Sequence, residues 1–249
     1  LIVGDFSNGN DGIVAKKAKT VAELKGQRIN LVELSVSHYL LARALSGAGL
    51  AERDVTLVNT SDADIVSAFT GSADVTAVVT WNPQLAEVAR VPGAAMLFDS
   101  SRIPGEIIDL MVVNTETLKA NPKLGQALVG AWYEVMALMA ADTDAGRAAR
   151  TAMAKAAGTD LAGFEAQLRT TRMFYKPAEA VAFTRSPALV ETMDKVRTFS
   201  FTHGLLGEGA KSADVVGIAF PDGRTLGNPG NIKLRFVTQP METAASATP

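Results

Sequence analysis

Between residues 28 and 83 the chain repeats one theme: a short apolar run, a capped amphipathic stretch, and another apolar run. Arg28-Ile29-Asn30-Leu31-Val32-Glu33 reads as a strand. Residues 38–46 read as a helix capped by Ser35 or Ser37, with Leu40, Leu41 and Leu45 on its apolar face and Gly47 and Gly49 at its end. Val55-Thr56-Leu57-Val58 is a second strand, and Ser61-Asp62-Ala63-Asp64 opens a helix through Phe69 that stops at Gly71. Ala73-Asp74-Val75-Thr76-Ala77-Val78-Val79-Thr80 is a third strand, apolar at almost every position, as a strand covered on both faces must be. Trp81-Asn82-Pro83 ends it and opens another helix. Strands and helices alternating at this spacing fold as a parallel-rich sheet with helical crossovers, so the fold class is α/β.

The rest of the chain is more helical. Residues 107–113 read as a strand, and a long helix is expected from Thr115 to about residue 141, with Pro122 near its start. Residues 146–157, 160–169, 178–183 and 187–204 also read as helices. Past Gly207 the sequence is punctuated by glycine and proline, and residues 241–249, made mostly of small residues, are expected to be disordered. The length of 249 residues admits one large domain or two small ones.

Composition removes several functions. A net charge of −2 with scattered Lys and Arg leaves no basic face for a row of phosphates, so no nucleic-acid partner is expected. There is no cysteine, hence no disulfide, thiolate metal site or Cys nucleophile. His38 and His203 are the only histidines, too few for a His-rich metal site, and no cofactor is expected. G-x-S-x-G, Walker, G-x-G-x-x-G and H-E-x-x-H motifs are all absent. Ser37 and His38 are adjacent, and neighbours on a helix do not face one another, so the pair makes a poor nucleophile and base. The chain is not expected to be an enzyme. No stretch approaches a membrane span, and the first residues lack the pattern of a signal peptide.

What remains is a set of polar residues at the carboxyl ends of the expected parallel strands, where open α/β sheets bind ligands. Glu33, Ser35, Ser37, His38 and Tyr39 follow the first strand; Thr80, Trp81 and Asn82 follow the third. Ser35 and Ser37 are equally explained as helix caps, and His38 as a surface helix residue. Trp81 serves either as core filler or as the flat wall of a small-solute pocket. Asp5 and Asn8 lie in the glycine-spaced loop Asp5-Phe6-Ser7-Asn8-Gly9-Asn10-Asp11-Gly12, a solvent turn or a cleft lining. Asp109 stands inside an apolar strand, where a lone buried carboxylate would be costly, which points to a partner or a function.

Three segments carry a family resemblance: Leu24-Lys25-Gly26-Gln27-Arg28-Ile29-Asn30, Ser35-Val36-Ser37-His38-Tyr39-Leu40-Leu41-Ala42-Arg43-Ala44-Leu45, and Gly49-Leu50 with Asp54-Val55. They resemble the second-lobe opening of aliphatic-sulfonate, taurine and nitrate binding proteins of ABC importers. Asp62-Ala63, Gly71, Asp74 and Val79-Thr80-Trp81-Asn82-Pro83 continue the pattern, over about residues 20–90. The run from Val3 to Gly12 and Glu33-Leu34-Ser35-Val36-Ser37-His38-Tyr39 resemble the branch found alongside urea carboxylase.

This resemblance implies a type II periplasmic binding protein with two lobes closing on a solute. The implied layout has residues 1–16 as the end of the first lobe and hinge, 17–100 as the second lobe, 101–240 as the hinge return and helical remainder of the first lobe, and 241–249 as a tail. The hinge crossings would be residues 12–16 and 100–106. Relatives carry a signal sequence and the first lobe's opening strands ahead of the point where this sequence begins, so an incomplete first lobe is expected. Ser35, Ser37, His38 and Trp81 would contact ligand from the second lobe, with Asp5, Asn8 and Asp109 near the hinge and first lobe. The implied partners are a small solute and the importer's permease and ATPase subunits, and the implied location is the periplasm or another extracytoplasmic space. Sulfonate or nitrate would want helix N–H donors and a nearby Arg or Lys. Glu33, Asp5 and Asp109 with Trp81 suit a urea- or guanidine-like solute better. The alternatives are an enzyme of the same fold, such as a pyrimidine-precursor synthase, and the effector-binding domain of a regulator.

Overall fold

The structure, a computed structural model, describes residues 1–247. It divides into two compact units, one built from Leu1–Phe6 and Ile108 onward, the other from Ser7–Ile107. In chain order, β1 (Ile2–Ser7) leads through a short loop to β2 (Asp11–Ala15), followed by β3 (Arg28–Leu31), α1 (Val36–Gly47), β4 (Thr56–Asn59), α2 (Asp62–Gly71), β5 (Ala77–Trp81), α3 (Gln84–Val88) and β6 (Ala95–Asp99). The chain continues through β7 (Ile108–Met111), α4 (Thr115–Ala120), α5 (Pro122–Ala140), α6 (Asp144–Ala156), α7 (Leu161–Leu168), β8 (Thr171–Met173), α8 (Pro177–Thr184) and α9 (Pro187–Thr202). It ends in β9 (Gly217–Ala219), β10 (Thr225–Gly227), β11 (Ile232–Arg235) and α10 (Gln239–Ala247).

The Ser7–Ile107 unit is a five-stranded sheet in the order β4-β3-β5-β2-β6. β3 runs parallel to β4 and β5, as the alternating pattern requires, while β2 is antiparallel to both β5 and β6. Residues 11–15, expected in the first lobe and hinge, therefore lie inside this sheet: Asp11-Gly12-Ile13-Val14-Ala15 is buried throughout and hydrogen-bonded on both sides. The apolar run Ile13-Val14-Ala15 suits a central strand better than an exposed crossing.

Val14 and Val78 face α2 and α3, packing with Ile65, Phe69, Leu85 and Val88. The other sheet face is left to α1, which packs on β2 and β5 and buries Leu40, Leu41 and Leu45 completely. Removing those three side chains from water contributes roughly 2 kcal/mol each. α1 begins at its Ser35 cap and ends where Gly49, at φ +74°, turns the chain back so that the Leu50 N–H reaches the Leu45 carbonyl.

The other unit is built on a three-stranded sheet, β7-β1-β8. Val129, Tyr133, Met136 and Met139 on one face of α5 pack with Ile2, Val3, Phe174, Leu189 and Phe236. The long helix expected from Thr115 is two helices, broken at Asn121, whose φ of −135° and ψ of 81° are what a residue before proline adopts. β9, β10 and β11 form a small sheet that the glycine-rich sequence concealed. Residues 239–247 are helical, not a disordered tail. Met241 is 1 % exposed and meets the Tyr133 hydroxyl through its sulfur at 3.7 Å, so one large apolar side chain docks the segment. Residues 248 and 249 lie outside the described residues. No single helix among the described residues is long and apolar enough to cross a membrane.

Candidate functional site

The turn from β3 into α1 is held by a dense set of hydrogen bonds. Glu33 is exposed, and its N–H donates to Asn59 Oδ1 on β4 at 3.0 Å. Ser35 Oγ accepts from the Ser37 N–H at 3.1 Å and donates to the Val32 carbonyl at 2.7 Å, so Ser35 is the helix cap. The Ser37 hydroxyl, in the first turn of α1, is wholly buried and has no hydrogen-bond partner among the described residues. His38 is only 4 % exposed, not a surface residue: Nδ1 accepts from the Leu34 N–H at 3.2 Å, and Nε2 lies 2.7 Å from Glu52 Oε1. Glu52 had no signal in the sequence, since it stands 14 positions further on.

At the end of β5 the strand's alternation separates the two neighbours expected to act together. Thr80 pairs with Gly12 and shares the α2–α3 face with Val78; its hydroxyl is buried without a partner among the described residues. Trp81 pairs with Asp11 and points to the α1 side, half-buried. Asn82 holds the strand exit, its N–H donating to the Asn10 carbonyl at 3.0 Å and its Oδ1 accepting from the Ala86 N–H at 3.0 Å. Of the residues following β3 and β5, Trp81 alternates to the sheet face on which α1, the helix of Ser37, packs, and Thr80 to the other.

The loop between β1 and β2 folds around three polar side chains that sequence reading missed. Gly9 N–H and Asp11 N–H donate to Ser100 Oγ at 2.8 and 3.4 Å, Ser100 and Ser7 hydroxyls lie 2.6 Å apart, and Ser7 donates to Asp11 Oδ2 at 2.5 Å. All three are buried, while Asn8 sits exposed at the tip. A second buried cluster joins Glu106 to α1. Tyr39 Oη donates to Glu106 Oε2 at 2.7 Å, and Arg43 reaches Oε2 through Nε at 2.7 Å and Oε1 through Nη2 at 3.1 Å. Burial, then the Glu106 carboxylate, raises the Tyr39 phenol above its ordinary range; the same carboxylate raises Arg43. In both clusters the named side chains are hydrogen-bonded to one another, as groups that hold a fold together are.

Asp5 and Asp109 belong to the other unit and face each other across the β1–β7 ladder. Asp109, expected to be the buried carboxylate, is exposed, because β7 is an edge strand. Asp5, on the central strand, is 7 % exposed, and its Oδ1 has no partner among the described residues. Burial first, and then the charge and hydrogen bond of Asp109, push the Asp5 carboxyl up to about 7.

The Ser7–Ile107 unit also carries an open cavity of about 420 Å³ near the last turns of α1, lined among others by Lys19, Ala44, Ala48, Leu97, Phe98 and Arg102. None of the candidate residues lines it.

A family model described as NMT1/THI5 like matches residues 6–145, more than half of the chain. The chain belongs to the NMT1/THI5-like family. The matched stretch contains every candidate residue except Asp5, so the family assignment and the β3–α1 turn rest on the same part of the sequence. No curated protein matches the chain. Among solved structures, the alkanesulfonate-binding protein SsuA from Xanthomonas axonopodis pv. citri, bound to MOPS, aligns with a TM-score of 0.62 at 20% identity, covering 83% of this chain and 70% of that one. The periplasmic aliphatic sulphonate binding protein SsuA from Escherichia coli aligns with a TM-score of 0.62 at 23% identity, covering 82% and 65%. The chain thus spans about two thirds of the length of these proteins. The desulfurization enzyme DSZB aligns with a TM-score of 0.51 at 17% identity, covering 79% and 72%. The α/β fold is that of the periplasmic binding proteins, and the same fold also carries an enzyme.

Proposed function

We propose that this protein is the extracytoplasmic solute-binding subunit of an ABC importer, taking up a small nitrogen- or sulfur-containing solute and delivering it to a permease driven by an ATPase. The observation that carries this reading is the Ser37 hydroxyl, buried and without a partner in the first turn of a 12-residue helix at the carboxyl edge of a parallel strand. A buried hydroxyl left unpaired costs about 1–3 kcal/mol, so a solute that accepts from it recovers that energy on binding. The first-turn N–H groups of α1 add further donors, and Trp81 on the same sheet face adds a flat apolar wall.

Donors of this kind suit a solute with an acceptor oxygen, the carbonyl of urea or an oxygen of a sulfonate or nitrate. Guanidinium, which only donates, finds no partner in the Ser37 hydroxyl or the helix N–H groups. Glu33, exposed in the same turn, adds negative charge and favours the neutral urea over a full anion. That preference agrees with the resemblance of the Glu33–Tyr39 run to the branch found alongside urea carboxylase. The similarity to two sulfonate-binding proteins supports the importer role.

Binding rather than catalysis is supported by the lack of any cysteine and by the engagement of both His38 nitrogens, with the Ser37 hydroxyl bonded to neither. Calorimetric titration with urea, taurine, nitrate and guanidinium tests the proposal. Urea is expected to bind, with taurine and nitrate weaker and guanidinium inert; a protein that binds none of the four, or binds guanidinium best, overturns it.

A further inference from the structure

We propose that His38 is a positioning residue, which locks the turn before α1 and thereby aims the helix's first-turn donors, and that it does not touch the solute. The inference rests on the solute-binding reading for its consequence and on the geometry of the turn for its substance.

Leu34 has φ of +61°, the one positive value at a non-glycine position among the described residues. An L side chain is disfavoured there because Cβ crowds the following carbonyl. Burial does not compensate, since Leu34 is 48% exposed. The conformation is instead held through its N–H, which donates to His38 Nδ1 at 3.2 Å. A backbone N–H can only donate, so Nδ1 is the acceptor and the ring proton sits on Nε2, which lies 2.7 Å from Glu52 Oε1. Glu52 follows α1 in a 3-10 turn at Glu52–Asp54, and its carboxylate beside Nε2 favours the tautomer with the proton there.

The residues on either side of Leu34 are tied as well, Glu33 to Asn59 and Ser35 to Val32 and Ser37. Relaxation of Leu34 to a negative φ would swing Ser35 away from the Ser37 N–H and turn the Ser37 hydroxyl with it. His38 thus acts on a solute through Leu34 and Ser35. A side chain with both ring nitrogens engaged is suited to that task and unsuited to direct contact.

The test compares His38→Leu, His38→Asn, Leu34→Gly and the double variant Leu34→Gly/His38→Leu. In solute-free protein, His38→Leu is expected to speed amide hydrogen exchange at residues 34–37 by about tenfold or more. His38→Asn, which keeps an acceptor near the position of Nδ1, is expected to preserve most of the protection. Glycine takes a positive φ without a tether, so the double variant should return residues 35–37 to within about threefold of wild type. Urea and taurine affinity should fall in His38→Leu and recover in the double variant, a rescue that a direct contact would not show.

Unchanged exchange in His38→Leu, or no rescue by Leu34→Gly, overturns the proposal. Should His38→Leu fail to fold, His38→Asn and Leu34→Gly decide: loosened exchange at residues 35–37 in either one has the same force. If wild type binds none of urea, taurine, nitrate and guanidinium, the solute reading fails while the exchange pattern still judges the turn.

Discussion

Replacing Asp5 by asparagine should stabilise the protein at neutral and alkaline pH and do little in acid. Asp5 sits on the central strand of its sheet with its carboxyl raised from 3.8 to about 7, first by burial and then by Asp109. Between those two values the folded state keeps the proton and the unfolded chain has released it, so unfolding releases a proton and stability falls as pH rises. Below 3.8 both states are protonated and the cost vanishes; above about 7 it is complete. At about 1.4 kcal/mol per factor of ten in the dissociation constant, the cost reaches about 4 kcal/mol. That figure is a ceiling, because Asp109 is exposed and solvent screens its charge. Asparagine keeps the shape and a donor toward Asp109 but cannot ionise. The difference in unfolding free energy between Asp5→Asn and wild type should therefore grow from near zero at pH 4 to a few kcal/mol at pH 8, while the other carboxylates cancel. The chain has two tryptophans, and the Trp132 ring lies over Gly4, where an added Cβ would come within 3.0 Å of it. Urea or guanidinium denaturation of a Trp81→Phe background, followed by Trp132 fluorescence, reports the unit that holds Asp5. A stability difference that stays flat from pH 4 to 8, or one that favours wild type at pH 8, would refute the reasoning.

Ser37→Ala removes a hydroxyl that has no partner among the described residues, so thermal stability should stay within about 0.5 kcal/mol of wild type or rise slightly, while solute-induced stabilisation drops. A large loss of stability would mean the hydroxyl serves the fold. Glu106→Leu takes the shared acceptor from Tyr39 and Arg43 and should cost roughly 2–3 kcal/mol, below the full value for a broken buried pair because Arg43 is a third exposed and can turn to water. Denaturation followed by Trp81 fluorescence measures that cost. Absorbance titration should also show Tyr39 losing its proton at lower pH than in wild type, since burial remains but the Glu106 contribution is gone.

The strands and helix that frame the candidate site could be read from the sequence because their causes are local. Two-sided burial of β5 writes a continuous apolar run, and the cap and stop of α1 are a serine before it and a glycine after it. Ser35 as cap follows from the same local logic. The errors fall where the answer depends on which strand is a neighbour. Asp109 looks buried from its flanking residues, yet apolar flanks do not distinguish an edge strand from a central one, and it is Asp5, in a polar loop sequence, that the topology encloses. Thr80 and Trp81 are adjacent in sequence and so lie on opposite sheet faces, which strand alternation could have indicated once β5 was assigned. The engagement of His38 with Glu52, and of Ser7 with Ser100 across 93 residues, has no periodicity behind it. Such pairings exist only after the chain has closed, and each fixes a turn beside the sheet's carboxyl edge. The sequence pattern could therefore locate that edge but could not separate the residues that shape it from those that face it. Both kinds are small and polar, and burial with or without a partner is what tells them apart: His38 and Ser7 are engaged, and the Ser37 hydroxyl is left with a donor to give.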